Sequence, residues 1–123
     1  MAARVLVVDD EAEGVELLRE FLSAKGYEVI TAGDGAEGLR RVKEERPHLI
    51  LLDIQMPKMD GLEVLRQLRQ IDKEVSVIMI TSVNEQEIAR QAIELGAFDY
   101  IVKPPDLPYL EQSLWYKITT MTL

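Results

Sequence analysis

Strand-length apolar runs alternate with segments of helical period five times along this 123-residue chain, and few folds accommodate that alternation. The runs Arg4-Val-Leu-Val-Val8, His48-Leu-Ile-Leu-Leu52 and Val75-Ser-Val-Ile-Met-Ile80 are apolar at nearly successive positions. Such strands are buried on both faces, as a parallel sheet requires. Tyr27 to Ala32 is shorter and mixed, which suits a sheet edge, and Phe98 to Val102 makes a fifth strand. Val15, Leu18 and Leu22 share one helical face, and Gly26 stops that helix; Ala36, Leu39 and Val42 line a second helix that ends before Pro47. Leu62, Leu65 and Leu68 mark a third helix, Ile88, Ala92 and Leu95 a fourth that Gly96 ends, and Leu107, Leu110, Leu114 and Ile118 a fifth. Right-handed helical crossovers between parallel strands predict an α/β fold: a doubly wound five-stranded parallel sheet with five helices on its two faces. Residues 1–123 are long enough for a single domain with its own core.

Composition removes several classes of function. The formal net charge is -8, with no run of Lys or Arg, which argues against direct nucleic-acid binding. No cysteine is present, so a disulfide framework, a thiolate nucleophile and a Cys-based zinc site are excluded. The apolar runs fall well short of the roughly 20 residues that span a bilayer. Met1 to Val8 lacks the zones of a signal peptide, so the expected compartment is the cytoplasm, with no membrane partner.

Reactive polar groups close four of the strands. Asp9 and Asp10 follow the first, Asp53 the third, Thr81 the fourth and Lys103 the fifth. In an open parallel sheet, the carboxyl ends of the strands form the crevice where ligands bind. Three carboxylates, a hydroxyl and an ammonium would converge there. Like charges about 4 Å apart repel by roughly 4 kcal/mol at an intermediate effective dielectric, and a hard cation with oxygen ligands relieves that repulsion. An aspartate can also act as a nucleophile and become an aspartyl-phosphate, with an ammonium and a hydroxyl neutralising the phosphoryl oxygens. Asp53, alone on a central strand beside the acid pair, is the candidate nucleophile. Plainer roles exist for each residue: Asp9-Asp10 as an N-cap of the first helix, Asp53 as a turn cap, Thr81 or Asn84 as a cap of the fourth helix, and Lys103 as a solvated side chain. Their joint placement at strand ends favours one site. His48 sits at the opposite end of the sheet and is structural.

The ordered set Val-Leu-Val-Val-Asp9-Asp10-Glu11, Leu-Ile-Leu-Leu-Asp53-Ile-Gln-Met-Pro57-Lys-Met-Asp-Gly61, Ile-Met-Ile-Thr81-Ser82 and Ala-Phe-Asp-Tyr-Ile-Val-Lys103-Pro104 closely resembles the receiver domain of bacterial two-component response regulators. The match covers the chain from Arg4 to about Leu114. The resemblance implies a flavodoxin-like fold with strand order 2-1-3-4-5. It also implies a phospho-accepting signalling switch, not a turnover enzyme, that catalyses only its own phosphorylation and slow dephosphorylation. Asp53 would take a phosphoryl group from a histidine of a sensor kinase or phosphotransfer protein. Asp10 would bind Mg2+ directly, Asp9 mostly through water, with Asp53 and the backbone carbonyl of Gln55 completing the protein's ligands. Lys103 would pair with Asp53, then with the phosphoryl oxygens. Thr81 would swing inward and Tyr100 follow, altering the surface of helix 4, strand 5 and helix 5 where partners dock and a homodimer could form. Lys103-Pro104 resembles the family's cis peptide, Met56-Pro57 and Gly61 its supporting loop, and small Ser82 leaves access to Asp53. An apolar Val83 cannot orient an attacking water, which implies a long-lived phosphoryl state.

Some features depart from that pattern or compete with it. Pro105 stands where a large residue often follows the lysine-proline pair, and Pro108 is tolerable only in the first turn of the last helix. The segment Leu114 to Leu123 carries one charge and is unusually apolar. Its plain reading makes Leu114 and Ile118 core and leaves Trp115 and Tyr116 half-covered; the alternative is a docking face. Gly33-Asp-Gly35-Ala-Glu-Gly38 matches a dinucleotide-binding pattern, but it follows the second strand and carries acids where a pyrophosphate would sit. Its glycines more plausibly serve a strand-to-helix turn. An aspartate-nucleophile phosphatase would place a second aspartate where Gln55 stands. A docking module without phosphorylation would have no need of the complete set Asp9, Asp10, Asp53, Thr81 and Lys103.

Overall fold

The computed structural model describes residues 2–121. The elements run β1 (Arg4–Val8), α1 (Ala12–Ala24), β2 (Glu28–Ala32), α2 (Gly35–Glu45), β3 (Leu49–Leu52), α3 (Gly61–Ile71), β4 (Ser76–Thr81), α4 (Gln86–Glu94), β5 (Asp99–Val102) and α5 (Leu107–Met121). The five strands form one parallel sheet in the order β2-β1-β3-β4-β5. This is the expected doubly wound, flavodoxin-like arrangement, with β2 at one edge. The strand order reverses between β1 and β3, with β2 added on one side and β3 to β5 on the other, and this is the switch point at which such sheets bind ligands.

The successive apolar positions of β1, β3 and β4 feed two cores. Leu6, Val8, Ile50, Leu52, Val77 and Met79 meet α2, α3 and α4 on one face through residues such as Leu39, Leu65 and Ala92. Val5, Val7, Leu49, Leu51, Ile78 and Ile80 meet α1 and α5 on the other, against Leu18, Leu22, Leu110 and Leu114. All of these side chains are buried. Each contributes about 1.5–3 kcal/mol relative to exposure, so the three central strands anchor whatever they carry at their ends.

Several boundaries differ from the sequence expectation. Tyr27, His48, Val75 and Phe98 lie just outside their strands, whereas Thr81 is the last residue of β4 and not the residue after it. Ala36 is exposed, and buried Gly35 and Gly38 complete the inner face of α2 with Leu39 and Val42. The reason is close approach: a Cβ on Gly35 would lie 2.6 Å from Val64 Cγ2, and one on Gly38 would lie 3.0 Å from Val8. The Gly33–Gly38 loop is closed on itself, since Gly33 N–H donates to Glu37 Oε1 at 2.6 Å and Glu37 N–H to the capping Asp34 at 2.8 Å. Gly35 and Gly38 serve packing of α2, and Gly33 lies in the bend that precedes it.

His48 is structural, its Nδ1 accepting the Arg4 N–H at 2.9 Å. Pro108 falls in the first turn of α5, where Asp106 Oδ1 accepts the Tyr109 N–H at 3.1 Å. Leu114 is buried and Ile118 partly so, but Trp115 and Tyr116 are 62% and 57% exposed, more than the plain reading expected. Thr122 and Leu123, at the end of the apolar C-terminal segment, lie outside the described residues. No helix among the described residues is long and apolar enough to cross a membrane.

Candidate functional site

The parallel ladder continues past the strand ends and delivers the polar residues to one place. Asp9 N–H donates to Ala32 O at 3.1 Å, Asp53 N–H to Val8 O at 3.0 Å, and Lys103 N–H to Thr81 O at 2.8 Å. Asp53 is thereby fixed beside Asp9 across the switch point, and Lys103 beside Thr81. Lys103 then reaches back over the sheet. Its Nζ lies 2.7 Å from Asp9 Oδ2, 3.0 Å from Asp53 Oδ2 and 3.0 Å from Glu11 Oε1. The peptide between Lys103 and Pro104 is cis.

Asp9 and Asp53 are buried, and the Lys103 side chain is 16% exposed. Asp10 is exposed at the mouth. Among the described residues, Asp9, Asp10 and Asp53 form a group that could hold a metal ion, each offering a carboxylate oxygen, all within 4.8 Å of one another. Hard oxygen donors gathered this closely suit Mg2+. Burial pushes the Asp9 carboxyl up from its ordinary value, against the opposing pull of Lys103. For Lys103, burial acts to lower the ammonium's value, but hydrogen bonds to Asp9, Glu11 and Asp53 outweigh it, and the net shift is upward. The two shifts are compatible, because one cation serves three carboxylates while Asp9 shares that cation with two rivals. Lys103 remains charged.

The plain roles weighed for these residues hold only in part. The residue capping α1 is Glu11, and its side chain makes no cap bond; Asp9 Oδ1 instead accepts the Glu11 N–H at 3.0 Å. Asp53 Oδ1 accepts the Gln55 N–H at 3.3 Å, so it does support its turn while facing Lys103. Neither Thr81 nor Asn84 caps α4, whose cap position is Glu85 without a side-chain bond. Lys103 is not solvated.

A second layer joins the pocket to α4 and β5. Buried Thr81 accepts the Val83 N–H through Oγ1 at 3.2 Å, and the Tyr100 hydroxyl donates to Val83 O at 2.7 Å. Thr81 and Tyr100, assigned together from the sequence, therefore hold the two peptide units that flank Val83, one through its N–H and the other through its carbonyl. Burial, then the charges of Asp53 and Glu85, push the Tyr100 phenol up, so it stays a donor. Below Asp53, Gly61 N–H donates to Ile54 O at 2.8 Å, and a Cβ on Gly61 would sit 2.0 Å from Asp53 O. The sequence placed Gly61 in the supporting loop, but it did not reveal the ion pair of Glu11 with Lys103 or the two bonds to the Val83 backbone. Glu11 could have been suspected as the acid next to the pair; the Val83 bonds are a backbone matter without a side-chain signal.

An acid pair, a lone strand-end aspartate and a bridging lysine thus meet at the switch point of a doubly wound α/β domain, in an arrangement compatible with a hard cation. The sequence profile of the response regulator receiver domain matches residues 5–114. The chain belongs to that family, whose members are signalling modules of two-component systems. It is 46% identical over 104 residues to the alkaline phosphatase synthesis transcriptional regulatory protein PhoP of Bacillus subtilis (strain 168), covering 85% of this chain and 43% of PhoP. It is 40% identical over 105 residues to the chemotaxis protein CheY of the same organism, covering 85% of this chain and 88% of CheY. It therefore spans less than half the length of relatives such as PhoP and most of the length of CheY. Among solved structures, a chain of the CheX-CheY-BeF3-Mg2+ complex from Borrelia burgdorferi superposes with a TM-score of 0.87 at 31% identity, covering 98% of this chain and 90% of that one.

Proposed function

We propose that this chain is a phospho-accepting switch in which Asp53 receives a phosphoryl group from a phosphohistidine of a sensor kinase or phosphotransfer protein. The observation that carries the proposal is the enclosed contact of Lys103 Nζ with both Asp53 and Asp9 at the sheet's switch point. In the transfer, an Asp53 carboxylate oxygen bonds to phosphorus as the donor's phosphorus–nitrogen bond breaks, its electron pair remaining on the imidazole. Mg2+, when bound, neutralises phosphoryl charge. Asp10, Asp53 and the Gln55 carbonyl would hold the ion directly, and Asp9, occupied by Glu11 N–H and the closest contact of Lys103, would act mostly through water. Lys103 moves onto the phosphoryl oxygens as Asp53 gives up its charge. The proposed roles are thus catalytic for Asp53, Lys103 and Thr81, and switching for Thr81 and Tyr100.

The relay begins at Val83. If Thr81 Oγ1 turns to the phosphoryl group, the Val83 N–H loses its acceptor, and the backbone of Val83, whose carbonyl Tyr100 holds, is freed to shift. That biases the surface of α4, β5 and α5, on which a partner or a second copy docks; exposed Ile93, Phe98 and Tyr109 give it apolar character. The chain works in the cytoplasm, makes no direct contact with nucleic acid or membrane, and turns over no external substrate beyond its own phosphorylation and hydrolysis. The complete set Asp9, Asp10, Asp53, Thr81 and Lys103 favours this over a docking module of the same fold. Gln55 in place of a second acid disfavours a small-molecule phosphatase.

Intact-mass spectra after incubation with acetyl phosphate test the proposal. A single Mg2+-dependent phosphoryl adduct is expected on the wild type and none on D53N, with D53N folding normally. No adduct on folded wild type, or labelling retained in D53N, would refute it. Because half-buried Val83 is apolar, decay of the adduct should be slow, and V83E should hasten it; equal decay would remove Val83 from the account.

A further inference from the structure

We propose that Glu11 is a latch on Lys103: its carboxylate holds the ammonium in the unphosphorylated pocket and is the partner Lys103 releases to reach the phosphoryl group. The inference rests on Asp53 as acceptor and adds a rate-setting, positioning residue outside the metal-capable group of Asp9, Asp10 and Asp53.

An ammonium has three N–H donors. Lys103 directs them at Asp9 Oδ2, Glu11 Oε1 and Asp53 Oδ2, at 2.7, 3.0 and 3.0 Å. A phosphoryl oxygen therefore gains a bond from Lys103 only by displacing one of them. Displacing Asp9 would leave a buried carboxylate without its counter-charge, which is the expensive way to break such a pair. Asp53 stays beside the phosphoryl group that it carries. The Glu11 side chain is 64% exposed, so its carboxylate returns to water, and an ion pair so exposed is weak. Glu11 also lines the rim of an open cleft of about 380 Å³ with Leu17, Ser82, Lys103 and Pro104. Released Glu11 thus has room to withdraw. Its side chain makes no cap bond for α1, and the bond from Val15 N–H goes to its backbone carbonyl.

The latch has a signature that a structural role or plain charge repulsion lacks. With acetyl phosphate as donor, the bond from Asp53 to phosphorus forms as the donor's phosphorus–oxygen bond breaks and acetate leaves with the electron pair. The rate constant for that step, at saturating Mg2+, should rise about two- to fivefold in E11Q and E11A, the size of one exposed ion pair. Thermal stability should fall by no more than that one exposed ion pair contributes. In a K103A background the rise should vanish, because no ammonium remains to be released. An unchanged or slower rate in E11Q, or the same rise with and without Lys103, overturns the latch. A second measurement does not depend on phosphorylation: the 15N relaxation order parameter of the Lys103 ammonium in metal-free protein. It should fall in E11A, and an unaltered value counts against the latch even if Asp53 proves not to be the acceptor. Failure of the acceptor assignment is separately visible as absence of any adduct on the wild type.

Discussion

Asp9, Asp53 and Lys103 share an enclosed space in which two buried carboxylates depend on one cation. Replacing Lys103 by alanine strands both. The metal-free K103A protein should lose about 2–3 kcal/mol, somewhat under the loss for a fully enclosed pair because Lys103 is 16% exposed. Added Mg2+ should restore part of that loss, while phosphorylation falls more than metal affinity; denaturant titrations with and without metal check both. Asp10 should behave oppositely. It is exposed, so D10A removes a ligand and a repelling charge without opening a hole. It should weaken Mg2+ binding at no loss of metal-free stability, and a clear destabilisation would return Asp10 to a capping role. At this scale the sequence was legible where a reactive group closed an apolar strand, as with Asp9, Asp53, Thr81 and Lys103. It was not legible for Glu11, because an acid at the N-terminal cap of a helix has an ordinary explanation in the helix dipole. Only the placement of Lys103 across the sheet gives it another.

Elements carry the pocket through backbone contacts that side-chain patterns do not reveal. The loop after β3 returns so closely that Gly61 has no space for a Cβ, which would lie 2.0 Å from Asp53 O. G61A must displace the Asp53 backbone or unfold the start of α3. We expect destabilisation of about 1–3 kcal/mol together with a loss of phosphorylation larger than that of a distant variant of equal stability. Normal phosphorylation in G61A would show that the turn does not set the Asp53 position. The backbone of Val83 links Thr81, at its N–H, to Tyr100, at its carbonyl, so Y100F deletes one of these two bonds. It should reduce stability by about 1 kcal/mol and leave the phosphorylation rate near wild type, while uncoupling partner binding at α4, β5 and α5; the readout is partner affinity with and without phosphorylation. Helix and strand identities followed from apolar period, yet Ala36 shows the limit of that signal. Glycine scores as neither apolar nor buried, although Gly35 and Gly38 form the inner face of α2 by allowing close approach to Val64 and Val8.

The whole molecule couples its charge to its fold through one acidic edge. Continuous apolar runs required burial on both faces, and the two cores flanking β1, β3 and β4 meet that requirement. The register of the ladder then determined which residues meet, something periodicity alone cannot supply. Stability should therefore respond to metal and protons together. Mg2+ binding only the folded chain adds about 2.7 kcal/mol at one hundred times its dissociation constant, which corresponds to a rise of roughly 10 °C in Tm for a chain of this size. The proton dependence has a definite sign. Asp9 is raised above its ordinary 3.8, so its contribution to folding is complete below that value and is lost as pH rises through the folded value, where burial opposes its charge. Lys103 is raised above its ordinary 10.5, so its contribution persists across the neutral range and fades only in strong alkali. Mg2+ favours the charged form of Asp9 that burial opposes, so protons and the metal compete at this pocket as pH falls from neutrality. Melts across that range should show the Mg2+-induced rise in Tm largest near neutrality, shrinking as pH falls, and much reduced in D10A and D53N. A rise independent of pH, or one undiminished in both variants, would place the cation elsewhere on this acidic protein and separate its net charge of -8 from the pocket at the switch point.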